Sequence, residues 1–271
     1  MNTAKMKEII RDFQENDPSN RIAADIAKKP EYTGRKIHSD VICGVASARD
    51  EIIASLKANR EANIEMMQPE EWLPGAKSVI SFFMPFERWI TEENMGGNWP
   101  SGAWMHGRIE GQMSSNKIIL ALAEKIRSEG YQVVVPTLDT RIKVFMKFAG
   151  YPVSLYTTNW AERHVAFAAG LGTFGLSRGL ITKRGMAGRF ISLITTLPLE
   201  PTPRPYTDLL EYCTKCGACI HSCPPKAISL ERLKDHDICD AYLFDIRQKE
   251  EPYYGCGKCQ CGMPCSYGIP D

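Results

Sequence analysis

The chain has 271 residues, 33 basic and 32 acidic side chains, a formal charge of +1 and 44% hydrophobic content. That is enough apolar mass for a sizeable core, so one large domain with a smaller one is expected. Neither sign of charge forms a long block, which points away from nucleic-acid and acidic-lipid partners. No stretch approaches the roughly 20 apolar residues of a membrane span. The start, MNTAKMKEIIRDFQEN, reads as an amphipathic helix rather than a signal peptide, so a cytoplasmic protein is expected.

Residues 1 to about 60 read as two helical stretches around a polar segment, the second being ARDEIIASLKANR. In LPGAKSVISFFMPF, a Pro-Gly stop precedes a β-branched and aromatic run, which predicts a buried strand from about Lys77 to Met84. Residues 87–112 are rich in Gly, Trp and Asn without a sustained period, and are expected to form a long loop or lid. Ile118, Leu122 and Ile126 recur at helical spacing. Ser115 is placed to cap that helix, Gly130 to end it, and Tyr131–Val135 to follow as a strand. Asn159 with Glu162 resembles a capping box opening a helix over WAERHVAFAAG, and RFISLITTLPL gives another buried strand. PTPRP at 201–205 marks a stiff boundary between an α/β domain, 1–205, and a cysteine-rich domain, 206–271.

Nine of the ten cysteines fall between Cys213 and Cys265, which in a chain without an export signal points to metal rather than disulfides. Cys213, Cys216, Cys219 and Cys223-Pro224 form the C-x2-C-x2-C-x3-C-P run of bacterial ferredoxins, in which three thiolates hold one cube and the fourth holds the other. A zinc knuckle, the bland alternative, uses two separated C-x2-C pairs instead. Two cubes need twice the four thiolates that the run supplies, so the rest come from downstream. By ferredoxin logic Cys213, Cys216 and Cys219 share a cluster with Cys265, and Cys223 joins Cys239, Cys256 and Cys259 on the second. Cys261 is the alternative to Cys265, because it lies so close to Cys259 that turning toward another cube is awkward. Cys43 reads as a small core residue.

Two clusters make a wire, and a wire needs a terminus, so the α/β domain is expected to hold a redox cofactor or to dock a partner that does. Gly170-Leu171-Gly172-Thr173-Phe174-Gly175 matches G-x-G-x-x-G but follows a helix, not a strand, so a dinucleotide loop is disfavoured. These glycines read instead as close backbone approach to a flat macrocycle or to a packed helix. His164 and His106 read either as core imidazoles or as cofactor contacts.

LPGAKSVISFFMPF, ERHVAFAAGLGTFGLSRGLIT, FISLITTLPLEP, the ferredoxin run, ICDAYL and GCGKCQ, in that order over about residues 70–270, resemble the core of the cobalamin-dependent epoxyqueuosine reductases and the related reductive dehalogenases. The resemblance implies an α+β sandwich of the nitroreductase type with a C-terminal domain holding two [4Fe–4S] clusters. It also implies a base-off cobalamin within about residues 35–205, contacted by the segment Gly170–Gly175, and a low-potential donor such as ferredoxin or flavodoxin. FMN, used by other nitroreductase-like domains, is the alternative cofactor. Where the epoxyqueuosine reductases carry a catalytic Asp, this sequence has Tyr156, a candidate proton donor that needs a neighbouring cation. The sequence ends at Asp271 without the helical-repeat extension by which the tRNA-modifying enzymes hold their substrate. A small molecule or a corrinoid is therefore the expected ligand, and tRNA is not.

Overall fold

The structure is a computed structural model describing residues 1–58, 66–145 and 157–271. Its centre is an antiparallel sheet in the order β1-β2-β8-β3. The strands are β1 (Ile42–Ser47), β2 (Ser78–Pro85), β3 (Val133–Val134) and β8 (Gly188–Thr195). β2 is buried along its whole length, as its uninterrupted apolar run requires. The register sets Ser81 opposite Ser192 and Phe83 opposite Phe190. One face of the sheet, with Val45, Ile80, Phe82, Ile191 and Leu193, packs on α1 (Thr3–Asn16) and α5 (Gly102–Ser128). The other, with Ala46, Val79 and Ile194, packs on α2 (Glu51–Ala58) and α6 (Glu162–Ala168). Helices on both faces of one sheet make the expected α/β sandwich.

Smaller elements complete the body. α3 (Pro69–Trp72) leads into β2, and α4 (Arg88–Glu93) follows it. β4 (Val144–Phe145) pairs with β5 (Thr157–Thr158), and β6 (Gly172–Phe174) forms a hairpin with β7 (Leu180–Thr182). The cysteine-rich region holds α7 (Ala218–His221), the pair β9 (Ile228–Ser229) and β10 (Leu233–Lys234), and α8 (His236–Glu250). No helix among the described residues is long and apolar enough to cross a membrane.

Three expectations need correction. Residues 87–112 are not a loop: α4 and the first turns of α5 occupy most of them, and Ser101 Oγ caps α5 by accepting the Trp104 N–H at 3.1 Å. This half of α5 buries Trp104, Met105, His106, Gly107, Gly111 and Ser114, so no single apolar stripe betrays it. Gly107 and Gly111 make room for the Phe86 ring, which a Cβ would approach to 3.1 and 3.3 Å. Secondly, Asn159 does not cap α6. Its Oδ1 accepts the Lys143 N–H at 2.7 Å and its Nδ2 donates to Arg141 O at 3.0 Å, which ties two loops together. Thirdly, Ser115 does not cap a helix: it lies inside α5, where its Oγ donates to Gly111 O at 2.8 Å. Residues 201–205, read as a stiff boundary, lie against the body. The Thr202 N–H donates to Val45 O at 2.9 Å, and Arg204 Nη1 donates to Ala168 O at 2.8 Å, so the segment is sewn onto the body.

Candidate functional site

Cys213, Cys216, Cys219 and Cys265 line one cavity, with Gly175, Leu176 and Ile181 as part of its wall. Backbone geometry builds the rim: Lys215 (φ 55°) and Gly217 (φ 77°) take left-handed conformations that fold the C-x2-C-x2-C run into a tight loop ahead of α7. The other wall is the β6–β7 hairpin of the α/β body, where a Cβ on Gly175 would stand 3.7 Å from Cys213 Sγ.

A second set gathers beside it. Cys223 is buried, and its Sγ accepts the Ala227 N–H at 3.2 Å. It clusters with Cys239 of α8 and Cys259, and with Cys213 and Cys219 of the first group, against Leu176, Ala227 and Ile228. The thiols also repel one another. Cys265 feels Cys213 and Cys216, Cys239 feels Cys259 and Cys223, and Cys256 feels Cys259 and Cys239. Cys259 reaches both groups.

Burial pushes Cys219 and Cys256 up to about 12 and Cys265 up to about 11. Such thiols yield their protons only to a strongly charged cation, as coordinated thiols do. Among the described residues no three His, Cys, Asp or Glu side chains close on one point as a single ion needs.

Cys261 also feels Cys259 and Cys256. It is buried in the cluster containing Ile90, Ala103 and Trp104, and its Sγ accepts a long hydrogen bond from Asn94 Nδ2 at 3.5 Å. Burial lifts it to about 12. It does not line the cavity that Cys265 lines. Cys43 is half-buried on β1, packed against the core.

The segment Gly170–Gly175 runs from the end of α6 through β6 to the wall of that cavity. Gly170 ends α6 in the left-handed region, and Leu171 is buried. Gly172 lies so close to β7 that a Cβ would stand 1.9 Å from Ile181 O. Thr173 Oγ1 accepts the Tyr212 N–H at 2.8 Å, tying the hairpin to the start of the cysteine region. Phe174 packs on His164 with ring centroids 5.0 Å apart, and its N–H donates to Leu209 O at 2.7 Å. Burial, with Arg163 and Arg178 nearby, lowers His164 to about 4, so its ring is neutral. His106 is fully buried, with Nε2 accepting the Lys28 N–H at 3.0 Å and Nδ1 2.8 Å from Glu110 Oε2. It holds the fold together. Tyr156 lies outside the described residues.

A polar junction that the sequence does not announce lies between the body and α8. The Arg108 guanidinium sits 4.7 Å from the Tyr254 ring centroid. Burial pushes the Tyr254 phenol up, but the fields of Arg108, Arg189 and Arg247 outweigh it and hold the phenol below its ordinary range. Arg189 also faces Glu162, both of whose carboxylate oxygens are buried without a hydrogen-bond partner. Ser192 partly favours the charged form of that carboxylate, and its Oγ accepts the Trp160 indole N–H at 2.8 Å. Burial lifts Glu162 to about 7. Tyr254 is two residues from Cys256, so this junction adjoins the second cysteine set.

No protein-family model matches the chain. It is 27% identical over 214 residues to an epoxyqueuosine reductase of Leadbetterella byssophila, a match covering 73% of this chain and 61% of that protein. The chain spans about three fifths of the length of the curated relatives it matches first. In fold it resembles an epoxyqueuosine reductase bound to a modified tRNA-Tyr stem loop, with TM-score 0.53 and 16% identity over 100% of this chain and 68% of that one. It also resembles a reductive dehalogenase whose structure suggests a mechanism for B12-dependent dehalogenation, with TM-score 0.54 and 17% identity over 86% of this chain and 30% of that one. The chain thus has the fold shared by these two groups.

Proposed function

We propose that the protein is an iron–sulfur oxidoreductase that passes electrons through two [4Fe–4S] clusters to a base-off cobalamin in the α/β domain, and so reduces a small molecule or the corrinoid itself. The observation that carries the reading is the gathering of Cys213, Cys216, Cys219 and Cys265 around one cavity, with Cys223, Cys239 and Cys259 packed beside Cys213 and Cys219 and Cys256 close enough to feel Cys259 and Cys239. Two adjoining four-thiol sets fit two cubes, with one cysteine left over. Cys261, already engaged by Asn94, is that one.

Order along the wire follows from the neighbours. The first set includes Cys216, the exposed cysteine of the ten. The second adjoins Tyr254 and the arginines at the domain junction. Electrons from a ferredoxin- or flavodoxin-like donor enter at the first cluster and leave from the second. The corrinoid, when bound, supplies a metal centre able to take electrons one at a time. At the junction this chain's own residues offer donors and acceptors for its amides: the Arg108 Nε and the Glu162 oxygens are buried and unmatched. Tyr156 remains the proposed proton donor.

The test is anaerobic incubation of the purified protein with cobalamin, tRNA and candidate small molecules in separate arms. Retained corrinoid with a base-off spectrum supports the reading. Release of FMN on denaturation, with no corrinoid retained, replaces it by a ferredoxin-linked flavoprotein. Retention of corrinoid without turnover of any candidate supports the other form of the proposal, in which the corrinoid is cargo reduced for a partner.

A further inference from the structure

We infer that Lys258 tunes the second cluster: its buried ammonium, anchored on the end of α4 and standing in the chain between Cys256 and Cys259, raises the potential at which the cube held by Cys223, Cys239, Cys256 and Cys259 accepts an electron. The inference rests on the proposed function for the cube itself and adds to it the residue that sets how readily the cube is reduced.

Three observations carry it. Lys258 is the one lysine among the described residues that is buried, only 4% exposed. Its Nζ donates to Asn94 O at 3.0 Å and to Gly96 O at 2.6 Å, neutral carbonyls just past the end of α4. The two carboxylates of that helix are engaged elsewhere, Glu92 by Arg88 at 2.7 Å and Glu93 by Lys29 at 2.8 Å. Finally, the turn that carries Lys258 is fixed in place by Asn94 and by Trp104 of α5. Asn94 Nδ2 donates to Cys256 O at 3.0 Å, and Gly257 (φ 66°) lies so close to the indole that a Cβ would stand 2.0 Å from it.

A lysine is seldom buried without a counter-charge, because neutral carbonyls do not repay the desolvation of an ammonium. Four thiolates around a cube supply negative charge. The cube becomes more negative still when it takes one electron from the donor, while Lys258 keeps its proton. A fixed cation in a poorly solvated place beside the cube therefore favours the reduced form over the oxidised one, in keeping with the way net charge sets cluster potentials in general. A lysine acting only as a strut between α4 and the cysteine loop would use the same carbonyl contacts but would leave the potential indifferent to its charge.

Redox titration of the cluster-loaded protein under argon, followed by electron paramagnetic resonance with iron measured on each sample, separates the two roles in wild type, K258M, K258Q and K258R. The inference predicts two reduction waves in the wild type. In K258M and K258Q one of them should become about tenfold harder to populate at a given applied potential, a move of about 59 mV to more negative values, while the other stays where it was. K258R keeps the charge and should titrate as the wild type does, and salt at about 1 M should not erase the difference, since a buried charge is poorly screened. Neutral variants of normal iron content with both waves at the wild-type potential overturn the inference, as do two waves that move together. Loss of one cluster from both neutral variants overturns it too, because it marks Lys258 as a strut. The predicted shift in protein that retains no corrinoid keeps the inference and removes the acceptor from the proposed function, whereas wild-type protein without cluster signals removes both.

Discussion

Glu162 offers a sharp test of the energetics at the junction. Burial lifts its carboxyl from the ordinary 4.5 to about 7, with Ser192 and Arg189 only partly opposing the rise. A folded-state value above the unfolded one means that the folded protein binds the proton more tightly. The stability this confers is complete below about pH 4.5 and is lost as pH rises through about 7. The full difference corresponds to about 3 kcal/mol, an upper bound for a side chain at a domain junction. Glu162→Gln cannot ionise and so removes the pH-dependent part, while its buried amide without a partner costs about 1–3 kcal/mol at every pH. The variant should therefore be the less stable protein near pH 5, and should gain about 2 kcal/mol on the wild type by pH 8. Anaerobic urea unfolding followed by tryptophan fluorescence at the two pH values measures this. A stability difference that does not change with pH would show that the carboxylate is solvated or paired, and would refute the reasoning.

Cys265→Ala should lower iron from about eight to about four per chain, while Cys261→Ala should leave it unchanged; metal analysis of anaerobically purified protein decides, and the opposite pattern transfers the ligand role to Cys261. Gly172→Ala places a Cβ 1.9 Å from Ile181 O and should cost at least about 3 kcal/mol by prising β6 from β7. Because that hairpin walls the first cluster cavity, iron occupancy should fall in the same variant, and a normally loaded, normally stable G172A would contradict the packing described. Ser101→Ala removes the N-cap of α5 and should cost about 1 kcal/mol in thermal or denaturant unfolding, with iron content unaffected.

Local patterns carried much of the architecture. β2 and β8 were legible because each is a run of apolar residues longer than any turn interrupts, and the second half of α5 because Ile118, Leu122 and Ile126 face one core. The first half was not, since a helix packed on several sides shows no stripe, and its glycines, which accommodate Phe86, look like loop residues. Asn159 offered a capping spacing but spends its side chain on Lys143 and Arg141, contacts that only the tertiary fold supplies.

At the site, the ferredoxin spacing reported the cysteines because the chemistry is local in sequence. The choice between Cys261 and Cys265 hinges on which way the chain turns after Gln260, and the cavity lining together with the Asn94 contact bears on it directly. The arginine junction left no local signal at all. Arg108, Arg189 and Arg247 are far apart in the chain.

The central claim is that two clusters feed a corrinoid, and electron paramagnetic resonance of the cobalamin-incubated protein, reduced stepwise under argon, tests it most directly. The account predicts the spectrum of two magnetically interacting reduced [4Fe–4S] clusters together with a base-off cobalt(II) signal bound to the protein. Cluster signals absent throughout the titration, or cobalt(II) that stays base-on and free in solution, would contradict it.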